Sequence, residues 1–74
     1  MITGKVVDEE RCIWRGSAAH IFAVDDGTGR LGIVFGGVRP IPGMVGGAHC
    51  TVEGTALADE RGIVLWYPFY RFEL

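Results

Sequence analysis

Arginine and tryptophan are the residues of this 74-residue chain whose types and spacing could do chemistry. Arg11 and Arg15 flank Trp14, so a planar ring could stack on the indole while guanidinium groups hold its phosphates. Arg30 and Arg39 border the same expected face and could track a charged backbone. Arg61 lies in a late turn, and Trp66, Tyr67 and Tyr70 add aromatic surface. Together these groups suit unpaired bases and phosphates. A plainer reading competes at each position. Trp14 would cap the end of a core, with its arginines paired to Asp8, Glu9 and Glu10. Trp66 and Tyr70 would be core or tail packing, since a buried indole or phenol needs one polar partner and no ligand. Arg30 and Arg39 would be solvated, and Asp59 and Glu60 would repel phosphate from Arg61.

Other chemistries find less support. Cys12, His20, His49 and Cys50 carry the atoms of a zinc site, yet no C-x-x-C pair exists. Strand alternation would also place His49 and Cys50 on opposite faces, so no metal is expected. No nucleophile–base–orienter set and no phosphate-cradling loop is present, which argues against an enzyme and against a cofactor. The net charge is −2, from seven basic and nine acidic residues, without the basic excess of a dedicated non-specific nucleic-acid binder. Six of the seven basic residues are arginines, the type that bonds phosphate bidentately and stacks on bases; Lys5 is the seventh. Cys12 and Cys50 could form a disulfide, but nothing resembles a secreted cysteine framework. No signal peptide is visible, and no apolar run approaches the ~20 residues of a membrane span. These features predict a cytoplasmic protein.

The elements that must position these residues are strands. Twelve glycines are too many for a helical bundle, and 49% apolar residues suffice for one core spanning residues 1–74. Residues 1–7 alternate as a first strand, residues 8–11 form a charged loop or strand extension, and Gly16-Ser17 breaks the next apolar run. In residues 18–24, His20, Phe22 and Val24 share one face, while Ala19, Ile21 and Ala23 share the other. Asp25-Asp26-Gly27-Thr28-Gly29-Arg30 is strong hairpin chemistry, because glycine supplies the positive φ of tight turns. Leu31, Ile33 and Phe35 then alternate with Gly32, Val34 and Gly36. Pro40 and Pro42 forbid regular structure in the connector that follows. Residues 48–56 and 63–67 read as strands four and five, separated by a turn at 59–62. Pro68 is expected to end pairing and leave an apolar tail, 69–74, lying back on the core.

The stretch from Phe22 through Asp25-Asp26-Gly27-Thr28-Gly29-Arg30 to Phe35 resembles the strand 2–turn–strand 3 hairpin of OB-fold nucleic-acid-binding domains. Ile41-Pro42-Gly43, Val52-Glu53-Gly54 and Trp66-Tyr67-Pro68-Phe69-Tyr70 resemble the second half of that domain. The pattern is similar to small actinobacterial OB-fold proteins and to the wedge domain of branched-DNA helicases. It implies an all-β, five-stranded OB-type Greek-key barrel with little or no helix. It also implies binding of single-stranded or structured nucleic acid, DNA or RNA, through Arg11, Trp14, Arg15, Arg30, Arg39, Arg61 and Trp66. One departure bears on the mode of binding. Where the anticodon-binding barrels of class II tRNA synthetases carry a stacking aromatic and a polar reader, this chain has Ile21 and Gly32. The expected outer face of strands two and three (Ala19, Ile21, Ala23, Gly32, Val34 and Gly36) is small and apolar. That face supports the alternative of a protein-interaction or self-associating module.

Overall fold

A computed structural model of the chain describes residues 1–37, 41–59 and 62–72. Five strands carry the fold: β1 (Ile2–Trp14), β2 (Ser17–Asp25), β3 (Arg30–Gly36), β4 (His49–Asp59) and β5 (Gly62–Phe72). No helix occurs among the described residues. The sheet closes in a ring in the order β1-β2-β3-β5-β4, with the start of β1 pairing back onto β4. Among the described residues only the β3–β5 pairing is parallel.

The ring is filled as the alternation predicts. Phe22 and Val24 of β2 and Leu31, Ile33 and Phe35 of β3 point inward, joined by Val6, Cys50, Val52 and Leu65. The proline-rich connector contributes more than a crossing. Its Met44 is buried in the same core, Ile41 packs beside it, and the Met44 N–H donates to the Ile41 carbonyl at 3.0 Å. This short turn closes part of the interior with two side chains.

The hairpin between β2 and β3 forms where the turn residues place it, and carboxylates organise it. The Asp26 Oδ1 atom accepts from the Thr28 N–H (2.9 Å), the Thr28 hydroxyl (2.7 Å) and the Gly29 N–H (3.2 Å). Asp25 Oδ1 accepts from the Gly27 N–H at 2.8 Å, and Gly27 takes φ 94°. The Thr28 bonds hold the Asp26 carboxyl below its ordinary range.

Of the two readings of residues 8–11, a charged loop or a strand extension, the second holds, whereas the expectation at Pro68 fails. The charged run Asp8–Arg11 is strand throughout, so β1 is continuous from Ile2 to Trp14. Residues 2–5 pair with β4 and β1 pairs with β2 from Lys5 to Trp14, with a bulge between Val6 and Asp8. At that crossing Gly4 lies so close to β2 that a Cβ would sit 2.5 Å from the Asp25 carbonyl oxygen. Pro68 does not end β5. Pairing with β4 resumes at Glu53↔Phe69 and runs to Cys50↔Phe72, so the tail through Phe72 is strand. The register shifts between Glu53 and Thr55, which puts the missing proline N–H at an irregular position. Gly54 leaves room there, since a Cβ on it would lie 3.0 Å from the Pro68 Cα.

Candidate functional site

The outer face of β2 and β3 is not the open apolar patch that alternation suggests. Ile21 is 6% exposed and Val34 0%, and both belong to a second buried cluster with Trp14, Ala19 and Val64. Cys12 and Leu57 pack against it. The reason is a contact between strands that are not neighbours. On a flat sheet with ~4.8 Å between strands, β1 and β5 would stand about 14 Å apart across β2 and β3. Instead the indole of Trp14, at the end of β1, stacks on that of Trp66 in β5, with centroids 4.9 Å apart and planes 20° from parallel. The β1–β2 and β4–β5 hairpins thus cover the small side chains beneath them. Of the face expected to point outward, Ala19, Ile21 and Val34 are buried by the chain itself, while Ala23, Gly32 and Gly36 stay half-buried.

Local chemistry sets each member of this stack. Trp14 and Ser17 pair across β1 and β2, leaving a two-residue loop of Arg15 and Gly16. Both take positive φ, 49° and 84°, as a tight hairpin of the right twist requires. Glycine does so at no cost; Arg15 is the one non-glycine residue with positive φ among the described residues. That turn brings the Arg15 guanidinium carbon to 4.8 Å from the Trp14 ring centroid, a cation–π contact. Trp14 keeps 9% of its surface exposed and Trp66 keeps 39%. Beside them opens a cleft of about 340 Å³ lined by Trp14, Arg15, Ser17, Leu57 and Trp66.

The structure therefore joins three of the predicted residues, Trp14, Arg15 and Trp66. Arg11 is separated from them. It pairs with His20, one residue out of phase with Cys12 and Trp14, and so stands on the opposite face of β1. It does not flank the indole. Arg30 shares the outer face but lies at its other end, lining a second cavity of about 290 Å³ with Asp8, Glu9 and Glu10. Those carboxylates also belong to β1 and not to a loop beside Trp14. Arg39 and Arg61 lie outside the described residues. Ser17 and Leu57 were not expected in the site. Leu57 pairs with Val64 and lies two residues from Thr55, the partner of Trp66, so the two strands present Leu57, Val64 and Trp66 on one face.

The face of Arg11 carries a different feature. His20 is buried, packs its ring 4.2 Å from that of Phe22, and bonds through Nε2 to the Glu9 carboxylate at 2.9 Å. Its Nδ1 atom has no hydrogen-bond partner among the described residues. Cys12 and Cys50 are not joined by a disulfide and lie on opposite sides of the sheet, one against the outer cluster and one in the interior. Among the described residues no group of three or more His, Cys, Asp or Glu is placed to hold a metal ion. Among the same residues no helix is long and apolar enough to cross a membrane. No protein family, curated protein or solved structure matches this chain.

Proposed function

We propose that the chain is an OB-type Greek-key barrel that binds single-stranded nucleic acid at the Trp66–Trp14–Arg15 cleft. The observation that carries this reading is the stack itself: a guanidinium, a buried indole and a 39% exposed indole in series beside an open cleft. An unpaired base is a flat π-surface that can extend such a series at Trp66, and the guanidinium at the other end of the series can meet a phosphate further along the strand. Trp14 works mainly as the support that orients Trp66. Trp66 supplies the accessible aromatic surface, and Arg15 the charge. This arrangement offers what the β2–β3 face lacks at Ile21 and Gly32, with the ring coming from β5 instead. The acidic balance of the whole chain is consistent with a modest, local contact.

The test is a titration of indole fluorescence with oligothymidylate at low and moderate salt. Base stacking contributes ~1–3 kcal/mol per base, so Trp66→Ala should weaken binding by about 5- to 150-fold. Absence of quenching and of any mobility shift at low salt would overturn the reading.

A further inference from the structure

Resting on that reading, we infer that the bound strand runs along β5, with the base next to the one on Trp66 stacked on Phe69. Phe69 keeps 82% of its surface exposed, against 39% for Trp66 and 40% for Tyr70. A bulge puts it there. Trp66 pairs with Thr55 and Phe69 with Glu53, so β5 advances three residues while β4 advances two. Thr55 and Glu53, two apart on the unbulged strand, share a face, and directly opposed residues do the same. Trp66 and Phe69 therefore stand on one face of the sheet. It is the outer face, because Leu65 and Val52, out of phase with them, fill the interior. By spacing alone the two rings would alternate, and Phe69 would point into the ring of strands. Re-aiming a side chain in this way is a known use of bulges beside binding sites.

Spacing matches the pair of rings to a strand of nucleotides. Two residues of β4 span roughly 7 Å at ~3.4 Å each, which sets the separation of Trp66 and Phe69 along the sheet. A nucleotide repeats six backbone bonds where a residue repeats three, so an extended strand also repeats at roughly 7 Å. One base on Trp66 thus brings the next over Phe69. A groove of about 170 Å³ opens beside that ring, lined also by Met1, Thr51, Glu53 and Arg71. Arg71 pairs with Thr51 and continues the same face. The row reads indole, phenyl, guanidinium, an interleaving of aromatic and basic groups suited to a single strand. Glu53, opposed to Phe69, sets a carboxylate against it.

The experiment titrates tetrathymidylate, dT4, at low salt into the wild type, Phe69→Leu, Phe69→Trp and Glu53→Gln, with Trp66→Ala as the reference. Leucine keeps apolar bulk at an exposed position and removes only the ring, so urea denaturation should show the stability unchanged. Phe69→Leu should weaken dT4 binding by about 5- to 150-fold, the stacking of one base. Phe69→Trp should bind dT4 at least as tightly as the wild type, and dT4 should quench the added indole. Glu53→Gln should tighten binding by at least about twofold, a gain that moderate salt screens. If Phe69→Leu binds like the wild type while Trp66→Ala loses affinity, the second stacking site is overturned and the cleft stands. Unchanged affinity in Glu53→Gln overturns the path along β5. A wild-type dimer that Phe69→Leu converts to monomer at unchanged dT4 affinity, read by light scattering, overturns the proposal in favour of self-association. No binding of dT4 by the wild type removes the nucleic-acid reading itself.

Discussion

Trp14 and Trp66 stack at 4.9 Å although β2 and β3 lie between their strands in the sheet. That contact seals a second apolar cluster on the outside of the ring and creates the cleft beside it. One pair of rings thus serves both stability and the proposed site.

The two tryptophans should separate on substitution. Trp14→Ala removes a buried indole and should cost ~3–5 kcal/mol, close to the whole stability of a domain this small. Trp66→Ala should cost less, about 1 kcal/mol for the ring–ring contact, because that side chain is partly exposed. Either change should abolish the far-ultraviolet exciton couplet of the stacked indoles, with urea denaturation giving the two stabilities. Absence of a couplet in the wild type would mean that the stack does not form in solution.

Arg15→Asn isolates binding from folding. Asparagine tolerates the left-handed conformation at this position and suits the first place of the two-residue turn before Gly16. Stability should hold or rise slightly, while oligothymidylate binding loses a guanidinium contact and weakens severalfold. Equal binding by the variant would assign the charge to another residue.

Gly4→Ala should destabilise the ring by about 3 kcal/mol through overpacking. Its Cβ would approach the Asp25 carbonyl to 2.5 Å, and the obstacle is backbone that cannot swing aside. The corresponding change at Gly29 meets nothing within 4 Å and serves as the control in the same denaturation series.

Asp26 should make part of the stability dependent on acid. Its carboxyl lies below the ordinary range when folded, chiefly because of the Thr28 hydroxyl and N–H bonds. A depressed folded-state pKa contributes stability that is fully present above the unfolded-state value and is lost as pH falls through the folded one. Urea midpoints for the wild type should therefore drop through the acidic range. Asp26→Ala should remove that portion of the slope while lowering stability near neutrality. A parallel pH profile in the variant would place the acid sensitivity elsewhere.

Much of the architecture could be read from side-chain order. The alternation of Phe22, Val24, Leu31, Ile33 and Phe35 around an Asp-Gly turn defines an inward face, and that face is the observed interior. Turn chemistry is local, so Asp25 to Arg30 specify their own bends and bonds. Charge patterning left Asp8–Arg11 open between loop and strand extension, because an exposed strand edge accommodates charged side chains as readily as a loop does. Pro68 misled for a related reason: a missing N–H ends a regular ladder but is tolerated at a bulge, and only the partner strand supplies Gly54 opposite it.

The composition of the site was visible, but its membership was not. Trp14, Arg15 and Trp66 stand out by type, yet nothing in their spacing says that they meet or that Arg11 and Arg30 stay apart from them. Parity along a strand determines which face a residue takes once the register is known, and bulges alter that parity. Burial of the β2–β3 face is further from reach, because alternation distinguishes two sides of a sheet without saying what covers either. That outcome rests on the curl of the closed sheet, which brings distant hairpins together over Ile21 and Val34. Local order set the strands, the turns and the inward face; closure of the ring decided which aromatic rings touch and where a ligand has room.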